Sequence, residues 1–137
     1  MADQICRVNC YSVAVPNKPG TGACALAGLK EAGVNLIAFW GYPVGKGGAQ
    51  LDLVPADGGA LGKALRKLKL KVVKKSTAFL ILGEDRVGAL GEYMSKVSAA
   101  EVNLQAVQAV AAGEGRFAAV LFLDAKDVRK AGKALGV

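Results

Sequence analysis

Two asparagines and the turn between them hold most of the chemical promise of this chain. Asn17-Lys-Pro-Gly20 precedes a stretch with helical spacing, and Asn35 follows it. Pro19 fixes φ for a first helical turn, where its missing N–H is not needed. Gly20 carries no Cβ, so a bound molecule can approach the backbone closely. The unpaired N–H groups of a helix start favour a carboxylate. Asn17 and Asn35 each donate and accept, which suits a ligand bearing both an ammonium and a carboxylate, as an α-amino acid does. Val15 closes the strand before the turn, and Thr21 and Gly22 open the helix after it.

Catalysis has little to work with. The chain has no histidine, so no Ser–His or Cys–His pair can form, and no two carboxylates share a clear task. Cys6, Cys10 and Cys24 are odd in number and lack zinc-site spacing, so reduced thiols are expected rather than a disulfide framework or a metal site. Gly45-Lys-Gly-Gly48 lacks the spacing of a phosphate-binding loop and reads as a hairpin turn. The residues point to binding without catalysis, with no cofactor and no metal.

The elements that must position these residues occur twice. In the first copy, Tyr11–Val15 alternates as a strand, Thr21–Ala32 reads as a helix stopped by Gly33, and Val34–Tyr42 is again strand-like. Gln50–Val54 is a third strand, Asp57 suits a cap, and Ala60–Leu68 has the i, i+3, i+4, i+7 pattern of an amphipathic helix. Leu70–Val73 is a short last strand. In the second copy, Thr77–Leu82 is a strand and Val87–Ala100 a helix. Val102–Val110 and Arg116–Leu123 form a hairpin, and Asp127–Leu135 is a helix. The order is βαββαβ, a ferredoxin-like unit. The expected fold is α+β: two such units in tandem, residues 1–75 and 76–137, each an antiparallel sheet with helices on one face.

The second unit lacks a final strand. The extended segment Ile5–Asn9, or a partner chain, is expected to fill that edge. The first helices also differ. Sheet-facing positions are Leu90, Tyr93, Met94 and Val97 in the second copy, but Gly22, Ala25, Leu26 and Leu29 in the first, with Gly28 beside them. A helix that lean is expected to leave room for a ligand or for a closely packed neighbour. Ile37 and Phe39 are expected to share a face opposite Val34, Leu36 and Ala38.

Val13-Ala-Val-Pro-Asn-Lys-Pro-Gly20 followed by Leu29-Lys-Glu-Ala-Gly-Val-Asn-Leu36 resembles the ACT domain family, in which N-K/R-P-G and G-[IV]-N-[IL] flank the first helix. The resemblance covers nearly the whole chain, once per repeat. It implies side-by-side pairing of units and regulatory binding of amino acids. In serine-regulated dehydrogenases of that family, the asparagines at the positions of Asn17 and Asn35 hold serine across a domain interface. Val15 stands where those enzymes have histidine, which puts serine itself in doubt. In the second copy, Asp85 replaces the first Asn, Val87 the Pro and Glu101 the Gly, while Gly88 and Asn103 are kept. An acid there repels a carboxylate unless it serves the ammonium. The better site is expected in the first copy, completed by Asn103 across the pair.

Charge narrows the partners. The net charge of +7 resides wholly in Leu61–Lys75, as Lys63, Arg66, Lys67, Lys69, Lys71, Lys74 and Lys75; acids and bases balance elsewhere. No aromatic interleaves these cations for base stacking, so a solvated helix face and a lysine-guarded strand edge are favoured over nucleic acid. The alternative is a nucleic-acid- or protein-binding module on the same fold. No apolar run approaches the ~20 residues that span a bilayer, so no membrane role is expected. No signal peptide is legible, so a cytoplasmic location is expected. The expectation is a stand-alone, homodimeric small-molecule sensor, an amino acid its ligand, that passes its output to a protein partner.

Overall fold

The computed structural model describes residues 3–137. Strands and helices follow in the order β1 (Gln4–Pro16), α1 (Thr21–Glu31), β2 (Leu36–Val44), β3 (Gly48–Pro55), α2 (Gly58–Lys67), β4 (Lys71–Glu84), α3 (Ala89–Ala99), β5 (Leu104–Gly113), β6 (Arg116–Leu123) and α4 (Val128–Leu135). They form two compact units. One is Asn9–Ser76; the other joins the chain up to Val8 with Thr77–Val137. Each is a ferredoxin-like βαββαβ unit.

In the Asn9–Ser76 unit the strand order is β2-β3-β1-β4. β3 pairs antiparallel with both neighbours, Val13 facing Leu51 and Gly41 facing Leu51 on the other side. Val13, Leu51 and Leu53 from the sheet meet Ala25, Leu29, Leu61 and Leu65 from the helices to form the core. α2 begins where Asp57 accepts from the N–H groups of Gly59 and Ala60 at 3.0 and 3.3 Å, a side-chain cap of the orphan donors. Both α1 and α2 end in a turn that closes the last carbonyls, with Gly33 and Lys69 at φ 74° and 59°.

In the other unit the order is β1-β4-β6-β5, with β1 represented by its first residues. β4 pairs with β6 and β6 with β5, both antiparallel. Phe79, Ile81, Phe117 and Leu121 pack against Tyr93, Val97, Ala131 and Leu135. Ile5 joins this core. Asp3 accepts from Glu84 N at 2.9 Å and from the Tyr93 hydroxyl. The extended N-terminal segment thus takes the vacant place in the second unit, the first of the two occupants expected for it, although the sequence boundary at residue 75 counted it with the first unit. Leu70–Val73 and Thr77–Leu82, read as separate strands, belong to the single strand β4.

Two further expectations fail for identifiable reasons. A bulge between Leu36 and Ala38 breaks the alternation of β2. Phe39 then lies opposite Leu53, while Ile37 and Phe39 are both exposed, 48% and 37%. Leu26 and Met94, placed against the sheet by helical spacing, are 37% and 39% exposed; Ala25, Leu29, Tyr93 and Val97 carry the burial. Gly28 has a packing reason, because a Cβ there would stand 2.8 Å from the Leu68 methyl carbons. Gly22 has none, since nothing lies within 4 Å of its Cβ position.

Candidate functional site

The residues singled out by sequence separate into three clefts. The first, of about 540 Å³, opens at the start of α1 and is lined by Val15, Lys18, Pro19, Gly20, Thr21 and Lys69 among others. Gly20 sits at φ 87° as the residue before the helix, and no side chain caps the helix start. The Thr21 N–H turns back to the Lys18 carbonyl at 3.2 Å, and Gly22, the next residue of the helix, does not line the cleft. Alanine and leucine side chains supply an apolar wall, and no acidic residue lines the cleft.

The second cleft is the counterpart at the start of α3, about 290 Å³, lined by Asp85, Arg86, Gly88, Gly91, Val110 and Phe117 among others. Gly88 takes the same left-handed geometry, φ 80°. Arg86 is held in place: it donates to Glu92 at 2.6 Å, to the Glu84 carbonyl at 3.1 Å and to Asp3 at 3.5 Å. The Glu92 carboxylate raises the Arg86 pKa, so the guanidinium stays charged at any working pH. Asp3 is lowered from the ordinary carboxylate range, first by the Tyr93 hydroxyl and then by the Glu84 N–H. The Asp85 backbone N–H is bonded to the Gly115 carbonyl at 2.8 Å, and its side chain makes no hydrogen bond or ion pair among the described residues. The cleft therefore offers one anion and one anchored cation.

The third cleft, about 380 Å³, lies at the far end of α1 and contains Lys30, Gly33 and Asn35. Asn17 is not with it. Its N–H donates to Gly47 O at 3.0 Å, in the β2–β3 turn, and its side chain is exposed. Asn17 and Asn35 flank the eleven residues of α1; at ~1.5 Å of rise per residue they stand roughly 16 Å apart. One small ligand cannot touch both within one unit. Asn17, Gly22 and Asn103 line none of these clefts; Asn103 is exposed at the entry to β5.

One polar cluster was not foreseen. Ser12 Oγ donates to Asp52 Oδ1 at 2.5 Å, Tyr42 OH to Asp52 Oδ2 at 2.9 Å, and Gln50 Nε2 to Asp52 Oδ1 at 3.1 Å. Asp52 and Ser12 are buried. Burial, then the Asp52 carboxylate, pushes Tyr42 up to about 12. Burial and the Asp52 charge likewise push the neighbouring Cys10 thiol up to about 11. The available signal was a lone acid between Leu51 and Leu53 in an alternating strand, but only the β1–β3 register shows Ser12 facing it.

The seven cations of Leu61–Lys75 are exposed, and none is in a salt bridge among the described residues. Lys75 lies over the Tyr11 ring at 5.4 Å. No helix among the described residues is long and apolar enough to cross a membrane.

No family model and no curated protein matches the sequence. Solved structures do match the fold. A protein from Bacteroides thetaiotaomicron superposes with TM-score 0.82 at 20% identity, over 96% of this chain and 88% of that one. The regulatory subunit of aspartate kinase from Thermus thermophilus superposes with TM-score 0.66 at 15% identity, over 99% and 95%. Aspartate kinase from Clostridium acetobutylicum matches with TM-score 0.54 at 15% identity, over 96% of this chain and 33% of that one. These likenesses establish the fold, which this chain shares with a regulatory subunit.

Proposed function

We propose that this is a tandem ACT-type regulatory protein that binds a free amino acid and catalyses nothing itself. The cleft at the start of α3 carries this reading. Asp85, with no side-chain partner among the described residues, suits an ammonium; Arg86 and the N–H groups of Leu90 and Gly91 suit a carboxylate. Phe117 and Val110 offer an apolar wall for a side chain. The departures from the family pattern in the second copy thus suit a zwitterion better than the first copy's cleft, which has no acid to receive an ammonium. The regulatory-subunit fold and the N-K-P-G and G-V-N motifs support the reading.

A thermal-shift screen of the twenty amino acids tests it. A saturable rise with one of them is expected, because a ligand that binds only the native state raises its stability. The rise should vanish in Asp85→Asn. No rise with any amino acid would refute the reading.

The protein acts as a homodimer in this reading. β5 is the outer strand of its unit, contains no charged residue and no proline, and leaves Val110 64% exposed. An edge so unguarded is suited to pair with a second copy. A site using both Asn17 and Asn35 would also need two copies, given their separation along α1. Sedimentation equilibrium should return twice the 14.0 kDa chain mass; a monomer at micromolar concentration would refute the pairing.

A further inference from the structure

We propose that Lys71–Lys75, the first part of β4, is a docking edge that takes an extended acidic segment of a partner protein as an added strand. Lys71–Ser76 is the outer strand of the Asn9–Ser76 unit. β6 joins β4 only from Ala78 onward, and no turn or loop bonds to Lys71–Ser76, so among the described residues one side of this stretch keeps open N–H and C=O groups. Lys71, Val73, Lys74 and Lys75 are exposed, so no other element covers their side chains. A peptide strand meets both kinds of backbone group. The phosphates of a nucleic acid or an anionic lipid accept hydrogen bonds but donate none, and leave the carbonyls unmet. Val73, 48% exposed among the lysines, likewise offers a phosphate nothing but offers a peptide side chain an apolar contact.

Charge decides which strand fits. The whole net charge of +7 lies in the segment that runs from α2 into β4, and no acid occurs from Leu61 to Lys75. Lys63, Arg66 and Lys67, at i, i+3 and i+4, share one exposed face of α2, and Lys71, Lys74 and Lys75 follow on the edge. None of them is in a salt bridge among the described residues. A second copy of this edge is the wrong occupant. Antiparallel pairing about Val73 would set Lys71 of one copy opposite Lys75 of the other, and like charges opposite each other across a ladder repel. β5, the edge without charge, is the contrasting case. Carboxylates along an extended segment would meet the lysines instead. The same side chains thus exclude self-pairing and select an acidic strand. No bound amino acid is needed, so this assignment and the amino-acid reading can fail separately.

Fluorescence anisotropy of labelled, end-capped heptapeptides with the whole protein, in physiological salt, tests the assignment. A peptide of alternating glutamate and valine is expected to bind saturably below millimolar concentration. Its glutamine-for-glutamate counterpart should bind roughly tenfold more weakly. Proline at the central valine keeps the charge but removes a ladder N–H, and should weaken binding by roughly as much. Lys71→Glu, Lys74→Glu and Lys75→Glu combined should lose the acidic peptide and gain one of alternating lysine and valine. Arg129→Gln, Lys130→Gln and Lys133→Gln combined remove three exposed cations from α4 and should leave binding within roughly twofold. No saturable binding of the acidic peptide, undiminished binding of the glutamine or proline peptide, or retention of the acidic peptide by the charge-reversed variant would each overturn the proposal. Should that variant fail to fold, the glutamine and proline peptides on the parent protein decide. An RNA or a phosphatidylserine vesicle that displaces the peptide, and is itself lost with the charge-reversed variant but indifferent to the proline test, would assign the lysines to nucleic acid or lipid and overturn the added strand.

Discussion

Ser12 and Asp52 face each other across β1 and β3, and the serine hydroxyl donates to the buried carboxylate at 2.5 Å. Tyr42 and Gln50 supply the remaining donors. A buried acceptor that loses a donor keeps most of its desolvation penalty. Ser12→Ala should therefore cost about 1–3 kcal/mol, read from urea unfolding. Asp52→Ala should cost at least as much, because it leaves the buried Ser12 hydroxyl without its acceptor and takes one from Tyr42 and Gln50 as well. A loss below about 0.5 kcal/mol for both would show that the cluster contributes nothing net.

The same cluster predicts an alkaline limit. Cys10 and Tyr42 titrate near 11 and 12 in the fold, against 9.0 and 10.0 in an unstructured chain. The folded state holds these protons more tightly, so their contribution is fully present below about pH 9 and is lost as pH rises towards 12. Melting temperatures should stay level up to that point and then fall. Cys10→Ala should flatten the lower part of the decline and Tyr42→Phe the upper part. A parent profile that stays level to pH 12 would contradict the prediction.

Glu101 stands just past the end of α3 at φ 59°, a geometry that a side chain disfavours. Glu101→Gly should stabilise the protein by about 1 kcal/mol. Gly33→Ala, at φ 74° after α1, should destabilise it by a similar amount. Chemical denaturation of the pair gives opposite signs if helix-end geometry governs both positions.

The two glycines of α1 should respond differently. Gly22→Ala adds a methyl to open space and should gain up to about 1 kcal/mol of helix propensity. Gly28→Ala gains the same propensity but drives its methyl against Leu68. Leu68 is partly exposed and can swing, so the net change should be smaller than at Gly22. Urea midpoints order the two variants.

Deleting residues 1–8 should unfold or loosen the unit that contains α3 and α4. It removes Ile5 from the core and Asp3 from Glu84 and Tyr93, and leaves the β4 edge unpaired. Concentration-dependent association in light scattering is the expected sign. A shortened protein that melts like the parent would show that the segment is dispensable.

The fold was largely readable from the chain because each unit repeats the same alternation of periodicities. The hairpin strand Arg116–Leu123 and the Asp57 cap were legible from local residues alone. What local pattern cannot show is partnership. The extended look of Ile5–Asn9 and the missing strand of the second unit pointed to each other, but the choice between this segment and a partner chain depends on contacts more than seventy residues away. The β2 bulge was hidden because Leu36–Ala38 contains no glycine or other local sign of a break. Leu26 and Met94 fit the helical stripe but sit at its margin, where the tilt of the helix decides exposure. In the clefts, Gly20 and Gly88 announced themselves through their turns. Lys69 did not, since it read as one more member of a basic stripe.

The hydrogen bond from Glu84 N to Asp3 links residues 81 positions apart, and this separation governs the order of assembly. Asn9–Ser76 contains every strand of its own sheet and can close as soon as it is synthesised. The residues ahead of it must wait, extended and unpaired, until β6 and α4 have emerged. Folding should therefore show a slower phase from this distant closure. A circular permutant that starts at Asn9 and carries residues 3–8 through a short linker after Val137 would place all six elements of the second unit in consecutive order, and it should fold faster without changing the native architecture.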